Sequence, residues 1–347
     1  MTHNIVLLPG DGVGPEVTAA ARAVLDAAAA RFGLEFAYAE HLIGGAAIDA
    51  EGEPLPAATL DACLASDAVF LGAVGGPKWG TGAVRPEQGL LAIRKAMGLF
   101  ANLRPVTVHP ALADKGPLKR EVAQGVDLLI VRELTGGLYF GEKRREADRA
   151  SDLCVYTVEE IERVARVAFR AAESRRGRVA SVDKANVIET SRLWRETVTR
   201  IGRDEFAEVE LEHGLVDSAA MRLILDPRSY DVLLTENLFG DILSDEASVL
   251  AGSIGLLGSA SLGEPGKPGL FEPIHGSAPD IAGRDLCNPA GAIAAAAMLL
   301  RDGLGRADVA GAVEQALADV LAAGVRTRDL GGDAGTREVT AAVVERL

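Results

Sequence analysis

Apolar positions along this chain fall into two patterns. Short continuous apolar runs, bounded by Gly, Pro or charged residues, occur at residues 4–8, 68–71, 127–134 and 230–235 and read as strands. Strand candidates of weaker pattern lie at 35–40, 178–184 and 207–213, and the segment ANLRPVTVHP is extended. Between them, longer stretches repeat apolar residues at helical spacing: 16–31, 57–65, a segment from near Pro86, 158–174, 189–203 and 215–225. The stretch after Gly258 reads as a Gly- and Pro-rich loop, and residues 290–347 as two or three Ala-rich helices. Strand and helix alternate, which implies an α/β fold with helices on the faces of a sheet. Domain boundaries are expected near residues 100 and 252, with 1–100 and 253–347 forming one domain and 101–252 the other. A charged, β-like section near 140–157 is expected to be an arm or hairpin, or else a plain surface loop.

The chain centres on ENLFGDILSDEASVLAGSIGLL, residues 236–257, which follows the strand YDVLLT. Leu238, Ile242, Leu243, Val249 and Leu250 recur at helical spacing. Asp241 and Asp245 are four apart, so a helix stacks both carboxylates on one face. Two readings stay open: a solvated acidic face, or a site for a hard divalent ion, which prefers oxygen ligands. The apolar setting favours following the second, because buried carboxylates need a partner.

At its N-terminal end the strand–turn–helix PGDGVGPE invites a dinucleotide-binding reading. Gly10, Gly12 and Gly14 are present, but Pro15 stands where the third fingerprint glycine belongs. The segment therefore reads as a tight turn, with Pro15 in the first helical turn, and a Rossmann dehydrogenase becomes the alternative.

Composition narrows the partners. With 347 residues the chain is long enough for two domains. Its formal charge of −14 argues against nucleic acid or an anionic membrane surface. The apolar run Ala292 to Leu300 is too short to span a bilayer. Cys63, Cys154 and Cys287 are scattered and odd in number, which suits a reducing compartment. Without a signal-like opening, the expectation is a cytoplasmic protein.

An anionic substrate must then be drawn in locally. Arg94, Arg104 and Arg132 each lie in otherwise apolar segments, and guanidinium forks match carboxylates. Each could equally serve a structural ion pair; together they suggest a di- or tricarboxylate site. Lys184 ends a strand and could act as a base or be an ordinary strand-end lysine. Tyr139 could donate a proton or be merely packed. His275 in HGSAPD sits in a loop rich in backbone N–H groups, and Asp280 there could accept from a ribose 2′-hydroxyl, favouring NAD over NADP.

These motifs, GDGVGPE, RPEQGLLAIRKAMGLFANLRPV, VRELTGGLYFGE, VDKANV, the 236–257 stretch and FEPIHGSAPDIAG, together resemble the decarboxylating β-hydroxyacid dehydrogenases. That family includes the isocitrate, isopropylmalate, homoisocitrate and tartrate/D-malate enzymes, and the resemblance covers essentially the whole chain. It implies a two-domain α/β fold of the family's own kind, not Rossmann, working as a homodimer with active sites at the interface. It assigns Arg94, Arg104 and Arg132 to the malate-type carboxylates. It gives Asp241 and Asp245, with Asp217 of the other subunit, to Mg²⁺ or Mn²⁺. Lys184, also from the other subunit, would be the base for the hydroxyl, and Tyr139 the proton donor after CO₂ leaves. NAD would lie on Gly255 and the loop from His275 to Asn288, that is His275, Gly276, Ser277, Ala278, Pro279, Asp280, Ile281 and Asn288.

Members of the family differ in the group on the substrate's third carbon. Isocitrate enzymes carry hydroxyl-bearing or amide residues where this chain has Leu90 and Leu91. Glu87, Leu90, Leu91 and Val187 would form an apolar wall with one acid. An extra carboxylate there would be desolvated and face Glu87, costing several kcal/mol in rough terms. An isopropyl group would gain about 0.8 kcal/mol per buried carbon. The expected reaction is NAD-dependent oxidative decarboxylation of 3-isopropylmalate, a step of leucine biosynthesis.

Overall fold

A computed structural model describes residues 2–80 and 82–347, so the segment 74–85 is described except for Thr81. The chain forms two compact units, Met1–Leu99 with Gly252–Leu347, and Phe100–Ala251.

The first unit opens with β1 (Thr2–Gly10), α1 (Gly14–Phe32), β2 (Glu35–Glu40), α2 (Gly44–Glu51), α3 (Ala57–Ala65), β3 (Ala68–Ala73) and α4 (Pro86–Ala96). Ile5 to Leu8 are buried because β1 pairs in parallel with β2 on one side and β3 on the other. Pro15 starts α1 where a missing N–H costs nothing, and Gly33, at φ 65°, ends it in the left-handed conformation.

The second unit contains β4 (Ala101–Thr107), α5 (Arg120–Ala123), β5 (Asp127–Glu133), β6 (Lys143–Arg145), β7 (Ala150–Asp152), α6 (Val158–Glu173), β8 (Arg178–Asp183), α7 (Glu189–Glu205), β9 (Glu210–Leu215), α8 (Val216–Leu225), β10 (Val232–Thr235) and α9 (Asn237–Ser248). Its strands run in the order β4-β5-β10-β8-β9, parallel except for β4 against β5. Helices α6 and α7 cover one face around Phe169 and Trp194, and α6 begins with a Thr157–Glu160 capping box. The charged section near 140–157 is a small exposed antiparallel hairpin of β6 and β7.

The chain then returns to the first unit as β11 (Gly258–Leu262), β12 (Gly269–Pro273), α10 (Ala290–Met298), α11 (Ala307–Ala322) and α12 (Thr336–Val344). There the strand order is β2-β1-β3-β12-β11, with only β11 antiparallel to its neighbour. These two strands correct the loop expected after Gly258. Their small residues hid the pattern because β11 lies close under α10: a Cβ on Gly258 would meet the Ala295 nitrogen at 2.5 Å. The acidic helix ends at Ser248, short of the Val249 and Leu250 that share its apolar spacing. Val249–Ala251 tighten into a 3-10 turn and Gly252 takes a φ of 97°, which stops the helix although apolar spacing continues.

Candidate active site

In the second unit, α9 starts directly after the buried strand β10, so its first turns lie beside the end of β5. Arg132, near that end, is 3% exposed. Its Nε and Nη2 donate to Asn237 Oδ1 at 3.2 and 2.8 Å, and its Nη1 donates to Asp241 Oδ1. Arg104, on the neighbouring β4, donates from Nε to Asn102 Oδ1 at 2.8 Å and from Nη1 to Ser244 Oγ at 2.7 Å and Asp245 Oδ1 at 3.2 Å. Tyr139 donates its hydroxyl to the other oxygen of Asp241 at 2.7 Å. Five of the expected residues therefore meet on one face of α9.

Burial alone would raise the Asp241 carboxyl, but the Arg132 guanidinium, the Tyr139 hydroxyl and the more distant Arg104 outweigh it and hold it below the usual range. Burial, then the bond to Asp241, pushes the Tyr139 phenol up to about 12. Tyr139 is thus protonated at neutral pH. The turn that carries it is fixed by Glu133, a fully buried carboxylate that accepts from the N–H groups of Thr135 (2.9 Å) and Gly136 (2.7 Å).

Lys184 and Asp217 lie apart from this cluster's hydrogen bonds and pair with each other at 2.5 Å. The lysine's ammonium holds the exposed Asp217 carboxyl below its ordinary value. Among the described residues of one chain, no three His, Cys, Asp or Glu side chains gather as a metal site. Asp241 and Asp245 nonetheless present hard oxygen donors on one helix face, with side-chain exposures of 34% and 62%. That donor set fits Mg²⁺ or Mn²⁺ once further oxygens are supplied. Val187, three residues beyond Lys184, is 67% exposed.

The first unit holds the rest. Arg94, in the last turn of α4, donates to Glu272 of β12 at 2.6 Å, with both side chains nearly buried. Glu87, Leu90 and Leu91 occupy one face of α4; the leucines are half-buried and Glu87 is exposed. The loop from His275 to Asn288 is braced from beneath by the GDG turn. Val13 N–H donates to Ser277 O at 2.8 Å, and a Cβ on Gly12 would lie 1.9 Å from that same oxygen. Ala278 and Asp285 take positive φ values of 36° and 57°, and Asp285 is held there by the Glu16 carboxylate and the Thr336 and Arg337 N–H groups. Gly276 faces open space, and the His275 Nε2 is buried without a partner among the described residues. An orphaned ring nitrogen beside an open glycine fits a loop that receives a polar cofactor.

Three further residues organise these places and escaped the sequence reading. Asp11 accepts N–H bonds from Gly45, Ala46 and Gly75, each at 2.8 Å, tying α2 and the 74–76 loop to the GDG turn. Asp329 accepts from Ser253 at 2.5 Å and Asn288 at 2.9 Å, fixing the far end of the loop beside Gly255. Asn237 holds Arg132. For Asp11 the sequence does carry a signal, an acid between two turn glycines.

Residues 4–343 match the isocitrate/isopropylmalate dehydrogenase family. The chain belongs to that family. A relative from Anaeromyxobacter dehalogenans named 3-isopropylmalate dehydrogenase is 55% identical over 354 residues, covering 100% of both chains. One of the same name from Halalkalibacterium halodurans is 55% identical over 358 residues, covering 100% of this chain and 98% of its own. The solved isocitrate dehydrogenase from Methylococcus capsulatus superposes with a TM-score of 0.89 at 37% identity, covering 99% of each chain. As a member of the isocitrate/isopropylmalate dehydrogenase family, the chain is an oxidoreductase, and the Rossmann alternative falls.

Proposed function

We propose that this chain oxidises (2R,3S)-3-isopropylmalate with NAD and releases CO₂, giving 4-methyl-2-oxopentanoate and NADH for leucine biosynthesis. The observation that carries the reading is the full-length identity to relatives named 3-isopropylmalate dehydrogenase. Arg94, Arg104 and Arg132 bind the two carboxylates. A divalent cation, Mg²⁺ or Mn²⁺, would be held by Asp241, Asp245 and Asp217 of a second copy, and supplies positive charge beside the oxygen where charge develops as CO₂ leaves. NAD would rest on Gly255, the 275–281 loop and Asn288, with Asp280 on the adenosine ribose, and supplies the hydride acceptor.

Lys184 of a second copy takes the hydroxyl proton as the carbon–hydrogen bond gives up its hydride. Tyr139, protonated and aimed at Asp241, later donates a proton to the carbon that CO₂ has left. A second copy is supported by α8, which carries Asp217 and also exposes Met221 (63%), Ile224 (49%) and Leu225 (70%). Such a stripe suits burial in a homodimer. The three cysteines, all free, suit the cytoplasm.

Glu87, Leu90, Leu91 and Val187 select the alkyl group. The test is NADH formation from 3-isopropylmalate, isocitrate and D-malate with Mn²⁺ present. We expect kcat/KM for 3-isopropylmalate to exceed that for D-malate by roughly tenfold or more and isocitrate to be the poorest. A preference for isocitrate would overturn the assignment.

A further inference from the structure

We infer that Asn237 is a positioning residue that aims Arg132 and the Tyr139 turn together. The inference rests on the proposed role of those two side chains. Asn237 is 1% exposed, at the first position of α9. Its Oδ1 accepts two N–H groups of the Arg132 guanidinium, at 3.2 and 2.8 Å. A planar fork gripped at two of its nitrogens has its third fixed in direction. That third nitrogen, Nη1, is the one that reaches Asp241.

The other end of the same amide acts on the turn. Nδ2 donates to Gly136 O at 3.2 Å, and the Asn237 backbone N–H donates to the Tyr156 hydroxyl at 2.9 Å. Tyr156 in turn packs so tightly on the turn that a Cβ on Gly136 or Gly137 would lie 2.5 Å from its ring or hydroxyl. Gly137 has a φ of 71° and opens the short turn Gly137–Tyr139. One buried side chain therefore sets a substrate-facing cation on one side and the proton donor's turn on the other.

Hydrogen bonds to a charged group contribute enough that losing the grip on Arg132 predicts a rise of about tenfold or more in KM for the acid. Asn237→Ala should show that rise while the KM for NAD stays within about twofold. A lysine cannot be gripped this way, so Asn237→Ala added to Arg132→Lys should cost little beyond Arg132→Lys alone. A wild-type KM in Asn237→Ala, or fully additive losses in the pair, overturns the inference. If Asn237→Ala does not fold, Asn237→Asp keeps the acceptor for Arg132 and loses the donor to Gly136. It should lower kcat about tenfold with the acid KM near wild type, and an unchanged kcat overturns the role.

All kinetics are run on whichever of 3-isopropylmalate, isocitrate or D-malate the wild type oxidises best, so a wrong substrate assignment is seen separately. A wild type that neither oxidises nor binds any of the three overturns both readings.

Discussion

Burial acts on Asp241 and on Glu236 alike, and what differs is the company each one keeps. Asp241 has Arg132 and Tyr139 in contact and stays ionised below the usual range. Glu236, five residues earlier, accepts from Ser191 at 3.2 Å and has Asp183 and Glu133 as its charged neighbours, so burial wins and lifts it to about 7. An unfolded glutamate is ionised from its ordinary value near 4.5. The folded state therefore binds the extra proton between the two values, and stability falls as pH rises through that window. The contribution is full below the lower value and gone above the upper. Glu236→Gln removes this dependence, and relative to wild type it should gain about 3 kcal/mol on going from about pH 4 to pH 8. Paired thermal melts at the two pH values check this. An equal difference at both would mean that Glu236 is not held neutral.

Among elements, the turn between β1 and α1 touches α2, the 74–76 loop and the loop at Ser277. Its Gly12 has a φ of 60° and no room for a side chain against the Ser277 carbonyl. Gly12→Ala should push the 275–281 loop outward and raise the KM for NAD about tenfold, with the acid KM within about threefold. An unchanged KM for NAD would show that this turn does not support the cofactor loop. The same turn shows where sequence reading reaches its limit. A tight strand-to-helix turn and the failed fingerprint were legible from Pro15, but its packing on a loop some 265 residues later was not (roughly, by chain separation). Strands β11 and β12 were illegible for a related reason. Gly258, Ser259 and Ala260 pack by being small, and Glu272 sits in a buried strand because Arg94 pairs with it, so neither follows an apolar alternation. By contrast, α9 announced its acidic face, because a four-residue spacing on a helix allows only one geometry.

At the scale of the whole molecule, the alternation of strands and helices made the α/β class legible, and the ordered motifs made the family legible. Which side chains meet was legible only in part. Arg104, Arg132, Tyr139, Asp241 and Asp245 converge within the second unit, whereas Lys184 and Asp217 form their own pair there. A single chain therefore presents two of the proposed cation ligands on one face and keeps the third beside the proposed base. That division is consistent with the proposal that two copies share the active site. Among the described residues no helix is long and apolar enough to cross a membrane. We propose oxidation and loss of CO₂ as one metal-dependent reaction on 3-isopropylmalate. The most direct measurement counts NADH and CO₂ from that acid, before and after divalent ions are stripped with EDTA and restored with Mn²⁺. We expect equal amounts of the two products with the ion, neither without it, and recovery on its return. NADH formed without CO₂, or turnover that survives EDTA, would contradict the proposal.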